Sequence, residues 1–289
     1  MGKRPSERDE ARHRGLRSFG PFALALLTLA AGCASPPAPY SPPLPLVPPS
    51  WLPAVPATHD ALSGVLGALA GAAPGGGWDG ARQEVLAGYL AALATSGPGS
   101  TPELFPSDAH VFAYLADAHV AWAIALGRAA KLRKLDAVAL REVPFPLDGR
   151  TSTLAALTDE IVRRAPWEPR LALYLNPGWK GGPPLPASAL EAHSLDWQLA
   201  AHAALCGRTP GFWELDRERK VLKVSAFTGY MWGLPAAPRA RARKLLELVP
   251  PPDRLRDAVT ATCGPSLQRC TVASMAFDRS RSFEAGPRR

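Results

Sequence analysis

Apolar positions along the chain recur mostly at helical spacing. Residues 80 to 95 place Val85, Leu86, Tyr89, Leu90 and Leu93 together on one face of a helix. Ser107 or Asp108 can cap a longer helix running to about Leu135, with Val111, Leu115, Ala118 and Trp122 spaced by four, three and four. Its first half is apolar nearly all round, which predicts a buried central helix. Ser152 opens a third helix with Leu154, Leu157 and Ile161 inward, ended near Pro166. Ser188-Ala-Leu-Glu191 reads as a capping box that starts a fourth, with Leu195, Leu199, His202 and Cys206 on one stripe. Strands are fewer. Leu171–Leu175 is short, apolar and bounded by turn residues, so it reads as a buried strand. Phe212–Leu215 and Val221–Ser225 flank Asp216-Arg-Glu-Arg219 as a hairpin, and Cys270–Phe277 adds a strand. The pattern predicts an α+β fold: a helix-rich single domain with a small, mostly antiparallel sheet.

The start of the chain follows a different rule. Residues 1 to 20 carry six Lys or Arg against three acidic residues, then an apolar run from Phe22 to Ala31 precedes Gly32-Cys33. A basic flank, a short apolar core and small residues at the end form a secretory signal. The run is too short to span a bilayer, which takes about 20 apolar residues. The ending Leu29-Ala-Ala-Gly-Cys33 resembles the bacterial lipobox, although Ala30 stands where that motif prefers Leu. Cleavage after Gly32 would leave Cys33 N-terminal, its thiol open to a diacylglyceryl thioether and its amine to an acyl chain such as palmitate. Several chains anchor stably where one anchors only marginally. Ala34, where an Asp would resemble an inner-membrane retention signal, points to the periplasmic face of the outer membrane.

Residues 33 to 57 form the next segment. The stretch Ser35–Pro49 is too rich in proline for helix or central strand and reads as an extended spacer that lifts the domain some tens of Å off the membrane. The domain proper is then 58 to 283, followed by a tail, 284 to 289. Removing residues 1 to 32 leaves 27 basic and 22 acidic residues, a mild +5. Only seven of the 33 basic residues of the whole chain are Lys, beside abundant Ala, Gly and Pro, which is the signature of a GC-rich coding sequence. No basic stripe with interleaved aromatics appears, so a nucleic-acid partner is not expected.

Between residues 112 and 280 several segments, in order, resemble the family catalogued as domain of unknown function 547, found in bacterial lipoproteins. Tyr114–Ala121 sits where that family has a Trp-Ile-Asn-x-Tyr-Asn helix, and Leu154–Arg164 is similar to its next helix. Pro169–Asn176 followed by Pro183-Pro-Leu185 resembles its strand and Cys-rich loop, with Leu195–Leu199, Val224–Phe227 and Phe277-Asp278 after it. The family's His in the strand corresponds to Ala172, its two loop cysteines to Pro177 and Gly182, its Asn pair to Ala116 and His119, and its Tyr to Ala118. The resemblance therefore implies an envelope lipoprotein without the chemistry those residues carry.

Candidate chemistry is sparse. An oxidising periplasm permits disulfides, and Cys263 and Cys270 enclose a short segment with turn residues, so a bridge is expected between them, with Cys206 the odd thiol. Cys206 and His202 could be a nucleophile and base on one helix face, but both continue the apolar stripe of Leu195 and Leu199, as a core thiol would. Asp108/His110 and Asp117/His119 stand two apart and do not share a helix face, which makes each pair a poor metal clamp. His193 and Asp196 can neighbour at helical spacing. The loop Asn176-Pro-Gly-Trp-Lys-Gly-Gly-Pro-Pro184 reads either as an ordinary turn or as a binding surface, with Asn176, Trp179 and Lys180 as its contact residues. No cofactor or metal is expected. The expected function is a membrane-anchored envelope lipoprotein whose domain binds a protein partner or small ligand without catalysis. The alternative is a cysteine-dependent hydrolase or transferase using Cys206 or a site the sequence does not mark.

Overall fold

The computed structural model describes residues 59–70, 79–133, 139–176, 179 and 181–276. The expected signal 1–32, the expected lipidation site Cys33, the linker 33–57, Lys180 and the tail 284–289 lie outside the described residues. Among the described residues, eight helices and five strands follow one another as α1 (Asp60–Ala70), α2 (Gly80–Thr95), α3 (Asp108–Arg133), β1 (Phe145–Leu147), β2 (Arg150–Ser152), α4 (Leu154–Arg164), α5 (Leu171–Tyr174), α6 (Leu195–Arg208), β3 (Trp213–Asp216), β4 (Val221–Val224), α7 (Pro238–Leu248), α8 (Asp253–Cys263) and β5 (Thr271–Ser274). The fold is α+β and helix-rich. Two of its three strand pairings are antiparallel, β1 with β2 and β3 with β4, while β5 lies parallel to β4.

Helix α3 is the axis of the first apolar cluster. From Val111 to Leu126 its residues are buried on every side, against α1, α2, α4 and the β1–β2 hairpin. The segment Asp108–Ala129 is long and apolar enough to cross a membrane, but 89 % of its most apolar window is inside the protein, as in a core helix. Trp122 on α3 stacks on Phe145 of β1, ring centres 4.4 Å apart. Helix α4 is fixed by its local sequence: the Thr153 hydroxyl, one residue beyond the expected Ser152, accepts from the Ala156 N–H at 3.1 Å and caps it. Leu154, Leu157 and Ile161 are buried on one face. In α2 the buried set is Leu86, Tyr89, Leu90 and Leu93, while Val85, expected among them, is exposed. Leu86, Leu90 and Leu93 centre the stripe, and Val85, although four positions before Tyr89, lies about 100° from Leu86 around the axis, on the solvent side.

The β1–β2 hairpin turns through Asp148-Gly149, both at positive φ (51° and 71°), as a two-residue turn requires. Its turn N–H groups donate to the Leu93 and Ala94 carbonyls, satisfying acceptors that the end of α2 leaves open.

Two expected elements are corrected. Leu171–Leu175 is not a strand but the single helical turn α5. No strand among the described residues pairs with it, and its backbone bonds are local: Ala172 N–H to the Pro169 carbonyl, Leu173 N–H to that of Arg170 and Leu175 N–H to that of Leu171. A short apolar run does not distinguish the two states. The turn instead divides its side chains, Leu171 and Tyr174 entering the α3 cluster, Ala172 and Leu173 the second. Ser188–Glu191 does not open a helix either. Leu190 N–H donates to Asp117 and Glu191 N–H to Gln198, so tertiary acceptors take the bonds of this segment, and α6 starts at Leu195.

The second cluster packs α6, α7 and α8 on the three-stranded sheet, with Trp213, Leu222, Phe227, Leu245 and Val259 inside. The β3–β4 hairpin pairs Trp213 with Val224 and Asp216 with Val221, as the alternation predicts. Cys263 and Cys270 form a disulfide that joins the end of α8 to the start of β5.

Candidate functional site

Asp117 stands in the middle of α3 with no exposed surface. A lone carboxyl in so apolar a setting must be satisfied by the protein itself. Three segments supply the partners. Tyr174 of α5 donates its hydroxyl to Oδ1 at 2.7 Å, and the same hydroxyl lies 3.1 Å from the Ser188 carbonyl. The Leu190 N–H reaches both carboxyl oxygens, at 3.0 and 3.1 Å. His59, just ahead of α1, brings Nδ1 to 3.2 Å from Oδ2 and to 2.7 Å from the hydroxyl of Tyr89 on α2.

Burial sets the protonation of this group. It pushes the Asp117 carboxyl well above the usual carboxylate range, although the bonds from Leu190 and Tyr174 pull the other way. It also drops the His59 imidazole to about 4, against the pull of neighbouring Asp60. Both shifts work against the charged forms, a carboxylate at Asp117 and an imidazolium at His59.

His59 also lines a cleft of about 530 Å³ whose walls include Phe105, His110, Tyr114, Glu191 and His193. Its Nδ1 is held between Asp117 and Tyr89, and the residue forms part of the cleft wall. His110 is held in a similar way, through Nδ1 to the Ser107 hydroxyl at 2.7 Å. Phe105 lies edge-on to Tyr114 at 5.1 Å and supplies an apolar wall. The exposed His193 pairs with Glu191 at 3.2 Å at the rim. An apolar cleft with a few fixed polar groups is the ordinary form of a small-molecule site.

The residues singled out from sequence fall elsewhere. Trp179 is buried against Phe227 and Tyr230 and presents no face to solvent. Asn176 is buried too, and its carboxamide holds the loop shut: Oδ1 accepts the Trp179 N–H at 2.9 Å, and Nδ2 donates to the Trp179 and Pro183 carbonyls. A Cβ at Gly182 would fall 2.8 Å from that carboxamide, so this glycine makes room for Asn176 and not for a ligand. The expected contact surface of Asn176 and Trp179 is thus interior.

Cys206 has no exposed surface, and burial pushes its thiol up to about 12, far from the thiolate a nucleophile needs. His202 spends Nε2 on the Leu173 carbonyl at 3.1 Å. His119 points away from Asp117, its Nε2 3.3 Å from the Thr158 hydroxyl, so these two residues share no site. His193 and Asp196 also part, Asp196 pairing with Arg170 at 2.6 Å.

His59 and Tyr174 stand far apart in the sequence, and nothing in either segment marks them as partners of Asp117. The available signal was Asp117 itself, a single carboxyl inside an apolar helix. Neither a family model, nor a curated protein, nor a solved structure matches the chain.

Proposed function

We propose that this chain is an envelope lipoprotein, tethered through acylated Cys33 and the Pro-rich segment, whose domain binds a small, largely apolar ligand in the His59 cleft. The tether is supported by the signal and lipobox pattern of residues 1 to 33, and the ordered segments from 112 to 280 support a divergent relative of domain of unknown function family 547. One observation carries the binding role: a buried carboxyl and a tyrosine hydroxyl fix one ring nitrogen of His59, while the ring forms part of a cleft wall. A fold that holds an imidazole so firmly at a cleft presents one preset polar contact among apolar walls. Preset contacts favour affinity because little ordering remains to be done on binding.

A second reading has its own support. A carboxyl behind an imidazole is also the arrangement that orients a general base. In that reading His59 takes a proton from water attacking a bound ester or amide, and Asp117 holds the ring. Burial of Cys206 counts against the thiol version of an enzyme.

Ala192 lines the cleft beside Glu191 and is only partly buried, so a larger side chain there closes the cleft from its rim. Ala192→Trp is expected to abolish complementation of a deletion strain while its melting temperature stays within about 3 °C of the parent. Cys206→Ser, which leaves the cleft untouched, is expected to complement. A folded Ala192→Trp protein that complements fully would refute the cleft, and failure of a folded Cys206→Ser protein would restore the thiol enzyme.

A further inference from the structure

The charge of the domain is unevenly placed. Residues 59–204 hold 11 basic and 14 acidic residues, whereas residues 205–276 hold 12 basic and six acidic. The second segment, which builds the three-stranded sheet with α7 and α8, therefore carries +6 against −3 for the first.

Much of that excess meets at one end of the sheet. The β3–β4 loop exposes Arg217, Arg219 and Lys220. The Lys220 carbonyl accepts the Thr271 N–H at 2.9 Å, which brings the loop to the start of β5. Arg239 of α7 reaches the carbonyl of Cys270 at 3.4 Å, and Arg269 precedes that cysteine, donating to the Ala261 carbonyl at 2.8 Å. All five cations are exposed. Two of them are bonded to carbonyls, which orient a guanidinium without neutralising it. The opposing carboxylates in the loop are Glu218 and Asp216, the latter 3.9 Å from Arg219. The Cys263–Cys270 disulfide holds the segment on which the cations converge.

We propose that this end of the sheet docks on the anionic phospholipid headgroups of the membrane that carries the anchor. The inference rests on the lipoprotein reading above for its choice of partner. A tether of some tens of Å keeps the domain at high effective concentration beside that surface, so a modest attraction suffices. Each Lys or Arg held near an anionic bilayer adds a comparable increment of attraction, and the surface potential fades within a Debye length. Docking would turn the sheet end toward the membrane and hold the domain in one orientation.

The test uses the chain from residue 33 onward with Cys33→Ala, so that neither an acyl group nor the basic and apolar signal segment contributes, and flotation with two vesicle preparations. One is phosphatidylcholine alone and the other contains about 30 mol % phosphatidylglycerol, enough for a strongly negative surface. Affinity for the anionic vesicles is expected to exceed that for the neutral ones by roughly tenfold or more, and to vanish between about 0.05 and about 0.5 M salt. Reversal of Arg217, Arg219 and Lys220 to Glu is expected to remove the difference, with circular dichroism unchanged. Reversal of Arg163 and Arg164 on α4 is expected to leave it. Equal affinity for both vesicles, a loop variant that binds like the parent, or a preference for double-stranded DNA over the anionic vesicles at the same salt would overturn the proposal. Because no acyl group takes part, the lipoprotein reading fails or stands separately, on fatty-acid labelling of the unmutated protein.

Discussion

Replacing Asp117 with alanine is expected to lower the unfolding free energy by about 3–4 kcal/mol, the range for removing one partner from a buried ionisable contact. The carboxyl has no exposed surface and gathers α1, α5 and the segment before α6 onto α3. Its loss is uneven among the partners. Tyr174 keeps the Ser188 carbonyl and His59 keeps the Tyr89 hydroxyl, but the buried Leu190 N–H loses both of its acceptors. A buried donor left unpaired costs about 1–3 kcal/mol by itself, and the cavity adds to it. Asp117→Asn keeps the shape and one carbonyl oxygen, so it is expected to cost about half as much. Urea denaturation followed by circular dichroism measures both variants. A loss below about 1 kcal/mol for alanine would mean that Asp117 does not pin these elements together.

Trp179→Ala is expected to cost about 3–5 kcal/mol, as for a large aromatic removed from a core. The indole is 4 % exposed and packs 5.0 Å from the ring of Tyr230 and 6.4 Å from that of Phe227. Its backbone is bonded at both ends by Asn176, so the side chain cannot swing outward without breaking the loop. The same denaturation measurement applies. A stable Trp179→Ala protein that had lost its cellular role would return the loop from Asn176 to Pro184 to the status of a binding surface.

What could be read in the sequence depended on how local its cause was. Helix α4 was legible because Leu154, Leu157 and Ile161 declare one face and Pro166 follows its end. The β3–β4 hairpin was legible because two alternating runs flank a polar loop. Helix α3 was legible because an unbroken apolar stretch of that length in a folded domain must be central. Elements whose form depends on distant partners were not. Leu171–Leu175 had the composition of a strand but no neighbour to pair with. Ser188–Glu191 had the letters of a capping box, but Asp117 and Gln198 took the N–H groups that a helix start would have offered the cap.

The site shows the same limit. Cys206 and His202 gave the correct signal, a polar pair continuing an apolar stripe, and both are buried. The loop misled because Trp, Lys and Gly suggest exposure when read locally, whereas Asn176 turns Trp179 inward through three hydrogen bonds. Asp117 and His119, two apart in sequence, invite a pairing that the fold does not make. The partner of Asp117, His59, comes from the start of the domain, and only folding α1 against α2 and α3 brings the two within 3.2 Å.

The tether underlies both the proposed role and the docking surface, and intact-mass analysis of protein extracted from its own envelope tests it most directly. The expected species begins at Cys33, with a diacylglyceryl group on the thiol and a fatty acyl chain on the new amine. A species that retains residues 1 to 32, or that carries an unmodified thiol at Cys33, would contradict the account.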